Sequence, residues 1–307
     1  MRIIFAGTPD TAVPSLEELV RDHEVLAVLT RAPAPVGRKR VLTKSAVHER
    51  AEELGLPVLT PASLRDAEVH AEIAAYEPEA IAVVAYGMLV PPELLAVPVH
   101  GWLNLHFSLL PRWRGAAPVQ YAIAAGDSTT GTAVFQIEEG LDTGPVFDVE
   151  EREMSAADTA ESLLDELAVS GARQLSEVLA RIERGEGESR PQEGEPTFAP
   201  RLTSKDARID WSEPAEVVSA KTRGWWPAPG AWTSVGTTRV KLGPVAVTDV
   251  EGLAVGEIRA GATVLVGTGT TAVELDRVGP AGKAWMNAAD WARGLNTDHL
   301  TFGENNA

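Results

Sequence analysis

Arg2-Ile3-Ile4-Phe5-Ala6-Gly7-Thr8-Pro9-Asp10 is the stretch from which the fold of this chain is read. An almost wholly apolar block, stopped after a few residues by Gly and Pro, has the length of a strand buried on both faces. Similar blocks recur at residues 25–30, 80–85 and 102–105, with helical patterns between them. The clearest helical pattern starts near Lys44 and ends at Gly55-Leu56-Pro57, where Gly followed by Pro is a stop signal. Strands alternating with helices predict an open α/β domain, a parallel sheet covered by helices. A hairpin-like pair at 132–138 and 145–151 extends the sheet, separated by Glu139-Gly140-Leu141-Asp142-Thr143-Gly144.

Further along, Leu163, Leu164, Leu167, Gly171, Leu175, Val178, Leu179 and Ile182 recur at helical spacing and predict a long amphipathic packing helix over 158–183. Residues 184–196 are rich in Gly, Glu, Ser and Pro and read as an exposed linker. Beyond Ser204, short alternating segments at 239–242, 245–247, 262–266 and 271–276 lie between Gly-containing turns, and a short helix near 288–294 follows. They predict a small all-β barrel. The expected division is therefore 1–184, a linker at 185–203, and 204–307, a length that suits two cores.

No apolar run is long enough to cross a bilayer, and the apolar start is too short for a signal peptide. Cysteine is absent, which removes disulfides and thiolate zinc sites. A cytoplasmic protein with no membrane partner is expected. The formal charge of −17 argues against nucleic acid at long range. It is unevenly spread: from Ser204 onward there are 10 basic and 12 acidic residues, and before it 17 basic and 32 acidic. Within the acidic part, residues 31–48 hold Arg31, Arg38, Lys39, Arg40 and Lys44 and no acid, leaving a cationic island.

Chemistry concentrates after the strand at 102–105, at Asn104-Leu105-His106-Phe107-Ser108-Leu109-Leu110-Pro111. Open α/β sheets bind ligands beyond the carboxyl ends of their strands. Asn104 and His106 are two apart, so on a continuing strand they share a face. An amide beside an imidazole can polarise a carbonyl and hold the oxyanion formed on attack. The alternative is that Asn104 caps a turn and His106 is a structural histidine. Asp142, in its Gly-flanked turn, could fix the tautomer of His106 and raise its pKa, or could serve only the turn. Gly7-Thr8-Pro9-Asp10 lacks the Gly spacing of a dinucleotide site, so no NAD is expected. The remaining histidines, His23, His48, His70, His100 and His299, show no metal-ligand spacing, and no metal is expected.

Continued through Arg112-Trp113-Arg114-Gly115-Ala116-Ala117-Pro118, and with Gly140-Leu141-Asp142-Thr143-Gly144, this pattern resembles the methionyl-tRNA formyltransferase family. Gly7-Thr8-Pro9-Asp10, Ala85-Tyr86-Gly87, Asp206-Ala207-Arg208-Ile209-Asp210-Trp211 and Asn287-Ala288-Ala289-Asp290-Trp291-Ala292-Arg293-Gly294 extend the resemblance over essentially the whole chain. It implies a Rossmann-like formyltransferase domain followed by a C-terminal barrel resembling an OB-fold. It also implies transfer of a formyl group from 10-formyltetrahydrofolate to the amino group of methionine on initiator methionyl-tRNA, by a monomer.

On this resemblance the catalytic trio is Asn104, His106 and Asp142. The folate lies near Ser108, Leu109, Leu110 and Pro111 and near Tyr86, Gly87, Met88 and Leu89. Arg38, Lys39, Arg40 and Lys44 belong to the tRNA-binding loop. Relatives that formylate a nucleotide, a sugar nucleotide or water share the first domain, but either lack the second or continue into a dehydrogenase module. A non-catalytic RNA-binding protein is the rival of a different class, and retention of all three catalytic residue types argues against it.

Overall fold

Ile3, Ile4, Phe5 and Ala6 have no solvent exposure, which is why the opening block forms the centre of a sheet. Burying each of the three large side chains contributes roughly 1.5–3 kcal/mol. The computed structural model describes residues 1–37, 39–295 and 300–303. Two compact units are present, one of residues 1–116, 130–152 and 164–198, the other of 117–129, 153–163 and 199–307.

The first unit holds β1 (Arg2–Gly7), α1 (Val13–Asp22), β2 (Glu24–Leu29), β3 (Ala34–Val36), β4 (Val41–Thr43), α2 (Ala46–Glu53), β5 (Val58–Leu59), α3 (Ala67–Ala75), β6 (Ala80–Val84), α4 (Pro92–Leu95), β7 (Trp102–His106) and β8 (Arg114–Gly115). After α5 (Pro118–Ala124), which groups with the second unit, come β9 (Thr129–Gln136), β10 (Val146–Glu153) and α6 (Ala160–Glu183). The main sheet runs β10-β9-β7-β6-β1-β2-β5. The pairs β1 with β2, β1 with β6, β6 with β7 and β2 with β5 are parallel, and β9 lies antiparallel to β7. The parallel α/β domain expected from the alternating blocks is present, with the second hairpin strand on its edge.

Local signals account for the helices. Ser45 caps α2 by accepting from the His48 N–H at 3.1 Å, and the helix stops at Gly55, whose φ of +70° suits a residue without Cβ. In α6 the residues Leu163, Leu167, Leu175, Val178 and Leu179 are buried, as the spacing predicts. Gly171 lets α6 approach β7 and β9 closely, because a Cβ there would stand 2.9 Å from Leu105 and 3.3 Å from Thr132.

In the second unit, β12 (Trp232–Val235), β13 (Thr238–Leu242), β18 (Arg277–Pro280) and β19 (Met286–Asn287) form one antiparallel sheet. A second is made of β14 (Val245–Val247), β17 (Ala272–Leu275), β16 (Val264–Gly267), β15 (Glu257–Ala260) and β20 (Leu300–Thr301). The short β11 (Phe198–Ala199) precedes them, and α7 (Ala215–Gly224) and α8 (Ala288–Arg293) accompany the strands. Trp211, Trp225, Val240, Leu242, Val264, Val266, Val273, Leu275, Val278, Trp291 and Phe302 fill the core. The Phe302 ring stacks on Trp211 at 5.2 Å and on Trp291 at 5.8 Å. Helix α7 escaped the sequence reading because it buries Ala215, Val218, Ser219 and Thr222, small or branched residues that leave little helical periodicity. Among the described residues no helix is long and apolar enough to cross a membrane.

Candidate active site

Strand β7 continues to His106, one residue further than the apolar block indicates, so Asn104 and His106 do lie on one face. The strand is held on both sides, Asn104 standing opposite Val83 of β6 and Phe135 of β9. The imidazole is only 5% exposed, and its ring meets Phe135 edge-on at 6.2 Å. The hairpin of β9 and β10 carries Asp142 to the same place, with its Oδ2 3.9 Å from His106 Nδ1. This is beyond hydrogen-bond reach and close enough for strong charge coupling.

The tautomer of His106 is set from the other side. Its Nε2 is 2.9 Å from the Trp113 carbonyl, which can only accept, so Nε2 carries the hydrogen. The Nδ1 lone pair then faces Asp142. Burial pushes the imidazole below its ordinary pKa, while the Asp142 charge and the Trp113 carbonyl pull it upward. Asp142 does act to raise the His106 pKa, as expected, but the net shift is downward and the tautomer is not set by Asp142. Desolvation outweighs the carboxylate, and a backbone carbonyl chooses the tautomer.

Asp142 has φ of +50°, a left-handed conformation that Asp and Asn tolerate better than other side-chain residues. Its Oδ2 accepts from the Gly115 N–H at 2.7 Å. Gly144 closes the turn so tightly that a Cβ there would stand 1.8 Å from the Gln136 carbonyl oxygen. Gly144→Ala must therefore move backbone, and a loss of about 1–3 kcal/mol in urea unfolding is expected, together with impaired turnover. Unchanged unfolding and turnover would show that the turn yields without cost.

Segments 86–89 and 108–111 follow β6 and β7, parallel neighbours, and so lie together at the carboxyl ends of these strands. Tyr86 is buried, its hydroxyl is unpartnered, and burial pushes its pKa up to about 12. The Thr8 hydroxyl donates to the Tyr86 carbonyl at 3.0 Å, tying the turn after β1 to this end of the sheet. Met88 packs on the core and Leu89 is 83% exposed, so the segment offers a fixed end and an open end. Gly87 has φ of +80° and nothing near its missing Cβ. Ser108 donates to the Arg112 carbonyl at 2.6 Å, a bond that shapes the loop carrying Leu109, Leu110 and Pro111.

Within the cationic island Ala34–Val36 pairs antiparallel with Val41–Thr43, Val36 standing opposite Val41, and the side chains of Val36, Val41 and Leu42 are exposed. Lys39 and Arg40 sit in the turn between these strands, and Arg38 lies outside the described residues. The hairpin base is closed by Thr30 and Ser45, whose hydroxyls are 2.8 Å apart. Lys44 pairs with Glu52 at 2.6 Å. Lys44 is exposed like Lys39 and Arg40, and its ion pair with Glu52 is not visible in the local charge pattern.

Several contacts around His106 and Asp142 have no counterpart in the sequence pattern. Trp113 acts through its carbonyl, and backbone groups carry no signal in residue type. Gln192 lies in the predicted linker, and its amide nitrogen donates to the carbonyls of Asp142 and Gly144, both at 2.8 Å. Residues 184–196 are largely exposed, as composition indicates, but they are not a free spacer: Arg190 pairs with Val146 through backbone bonds of 2.8 and 2.9 Å. Among the described residues, no cluster of three or more His, Asp or Glu could hold a metal ion.

Residues 1–179 match the model of the family described as formyl transferase, and 201–296 that of the formyl transferase C-terminal domain. A methionyl-tRNA formyltransferase of Paenarthrobacter aurescens is 56% identical over 300 residues, covering 97% of this chain and 98% of that protein. One from an Arthrobacter species is 55% identical, covering 96% and 97%. Among solved structures, the methionyl-tRNA formyltransferase of Clostridium thermocellum aligns with a TM-score of 0.56 at 18% identity, over 82% of this chain and 95% of that one. HypX of Aquifex aeolicus, in complex with tetrahydrofolic acid, aligns with a TM-score of 0.65 at 20% identity over 98% of this chain. The chain spans about half the length of that HypX, 50%.

Proposed function

We propose, from the premise that this chain belongs to the methionyl-tRNA formyltransferase family, that it transfers the formyl group of 10-formyltetrahydrofolate to the amine of methionine on initiator methionyl-tRNA. The observation that supports this most is that Asp142 of the β9–β10 turn lies 3.9 Å from His106, with Asn104 two residues before it on the same face of β7. In this reading the amine attacks the formyl carbon, and the Asn104 amide donates to the oxyanion that forms. His106 takes a proton from the attacking nitrogen at Nδ1, its lone-pair atom, and the resulting imidazolium faces Asp142. The proton then passes to the departing folate nitrogen. Neither a metal nor NAD takes part.

Tyr86, Gly87, Met88 and Leu89, with Ser108, Leu109, Leu110 and Pro111, hold the folate in this reading. Arg38, Lys39, Arg40 and Lys44 meet tRNA phosphates. Residues 1–184 form a Rossmann-like catalytic domain, 185–203 a connection, and 204–307 a tRNA-binding domain of OB-like descent. The enzyme works as a monomer in the cytoplasm.

The decisive experiment supplies 10-formyltetrahydrofolate with methionylated initiator tRNA, and elongator tRNA in parallel, and follows formyl-methionine on the RNA. Initiator-selective formylation is expected. Donor breakdown without labelled RNA would transfer the assignment to hydrolysis or another acceptor. For the hairpin, Arg38→Ala is expected to weaken tRNA binding and reduce the slope of log K against log salt by about 0.7–0.9, with donor affinity retained. An unchanged slope would remove that arginine from the phosphate contacts.

A further inference from the structure

Gln192 has every hydrogen-bonding position of its amide in use. The nitrogen donates at 2.8 Å to both the Asp142 and Gly144 carbonyls. The oxygen accepts from Arg114 Nε at 3.2 Å and Nη2 at 2.6 Å. Carbonyls only accept and a guanidinium only donates, so the amide has one possible orientation. The same two segments are joined again by the Gly115 N–H and the Asp142 carboxylate.

The chain around Gln192 is anchored on either side. Arg190 pairs with Val146 ahead of it, and after it the Thr197 hydroxyl accepts from the Trp113 N–H at 2.9 Å while the Thr197 carbonyl accepts from the Arg114 N–H at 2.9 Å. One strap thus holds the Asp142 turn and the Trp113 backbone, the two groups that set the charge environment and the tautomer of His106.

We propose that Gln192 is a positioning residue of the active site, fixing the Asp142 turn against Arg114 so that the carboxylate keeps its distance from His106 Nδ1. This rests on the role given to Asp142 above. Ordering a polar segment such as 184–196 costs conformational entropy, and bonds to a left-handed Asp turn offset that cost where an unstrapped turn would sample other conformations.

The test is a double-mutant cycle on the full chain. Gln192→Ala should lower kcat about 10-fold or more, leave both KM values nearly unchanged, and shift the acid limb of the kcat/KM profile downward, as Asp142→Asn does. In an Asp142→Asn background the same change should cost less than about twofold, because two parts of one device are not additive. Gln192→Glu, isosteric and able to pair with Arg114 but without the two donors, should reproduce the loss if the alanine variant does not fold. Wild-type turnover in a folded Gln192 variant, or equal losses in both backgrounds, would overturn the proposal while leaving the role of Asp142 intact. Full turnover in Asp142→Asn alone would instead overturn that role, and the positioning of Gln192 with it.

Discussion

Asn104→Ala is expected to slow turnover by on the order of a hundredfold or more, equivalent to about 2.7–4 kcal/mol of barrier, while the protein remains folded. The asparagine backbone is locked between β6 and β9, so removing its amide leaves the strand ladder in place. In the proposed mechanism the amide is needed only when the formyl oxygen becomes an oxyanion, and the loss should therefore fall on kcat and kcat/KM together. Steady-state formylation of methionyl-tRNA checks this, with urea unfolding as the control. A variant with near-normal kcat and raised KM would make Asn104 a binding residue.

The second large effect is expected for Asp142→Asn. Asparagine also tolerates φ of +50°, and its side-chain oxygen can still accept from Gly115, so the change removes charge and leaves shape. A loss of about 10²-fold or more in turnover is expected, because the imidazolium formed at His106 no longer faces an anion. The pH dependence follows from two opposed causes. Burial holds His106 below its ordinary value and Asp142 works against burial. The wild-type acid limb of kcat/KM should thus lie below the ordinary histidine range. Removing the opposing charge should move it lower still, with activity lost as pH falls through the limb in both proteins. A limb that moved upward in the variant would exclude His106 as the group that must be neutral.

Much of this site was legible from residue order. Asn104 and His106 at a spacing of two on an apolar block require one face if the strand persists, and β7 does persist to His106. The blocks at 2–6, 25–30 and 80–85 read as strands because apolar runs of that length, cut by Gly and Pro, have few other uses. Asp142 was harder, since an acid between two glycines serves turns as readily as catalysis. Its place depends on how the long turn folds: β9 runs antiparallel to β7 from Ala133 opposite His106 to Gln136 opposite Leu103, and the turn that follows has to double back along β7 to bring the Asp142 carboxylate to 3.9 Å from His106.

The sequence by itself determined the strand and helix alternation, the β-rich character of the C-terminal part and the cationic island, because each is written in local periodicity or in side-chain type, whereas the trio Asn104, His106 and Asp142 was named by the resemblance to a family. Only the tertiary structure decided that burial outweighs Asp142 at His106, that the Trp113 carbonyl chooses the tautomer, that Lys44 is paired with Glu52, and that Gln192 bonds to the turn that carries Asp142. Desolvation is a property of everything packed around a group, and a backbone carbonyl looks the same in every residue. Neither leaves a trace in the order of amino acids until the chain has closed on itself.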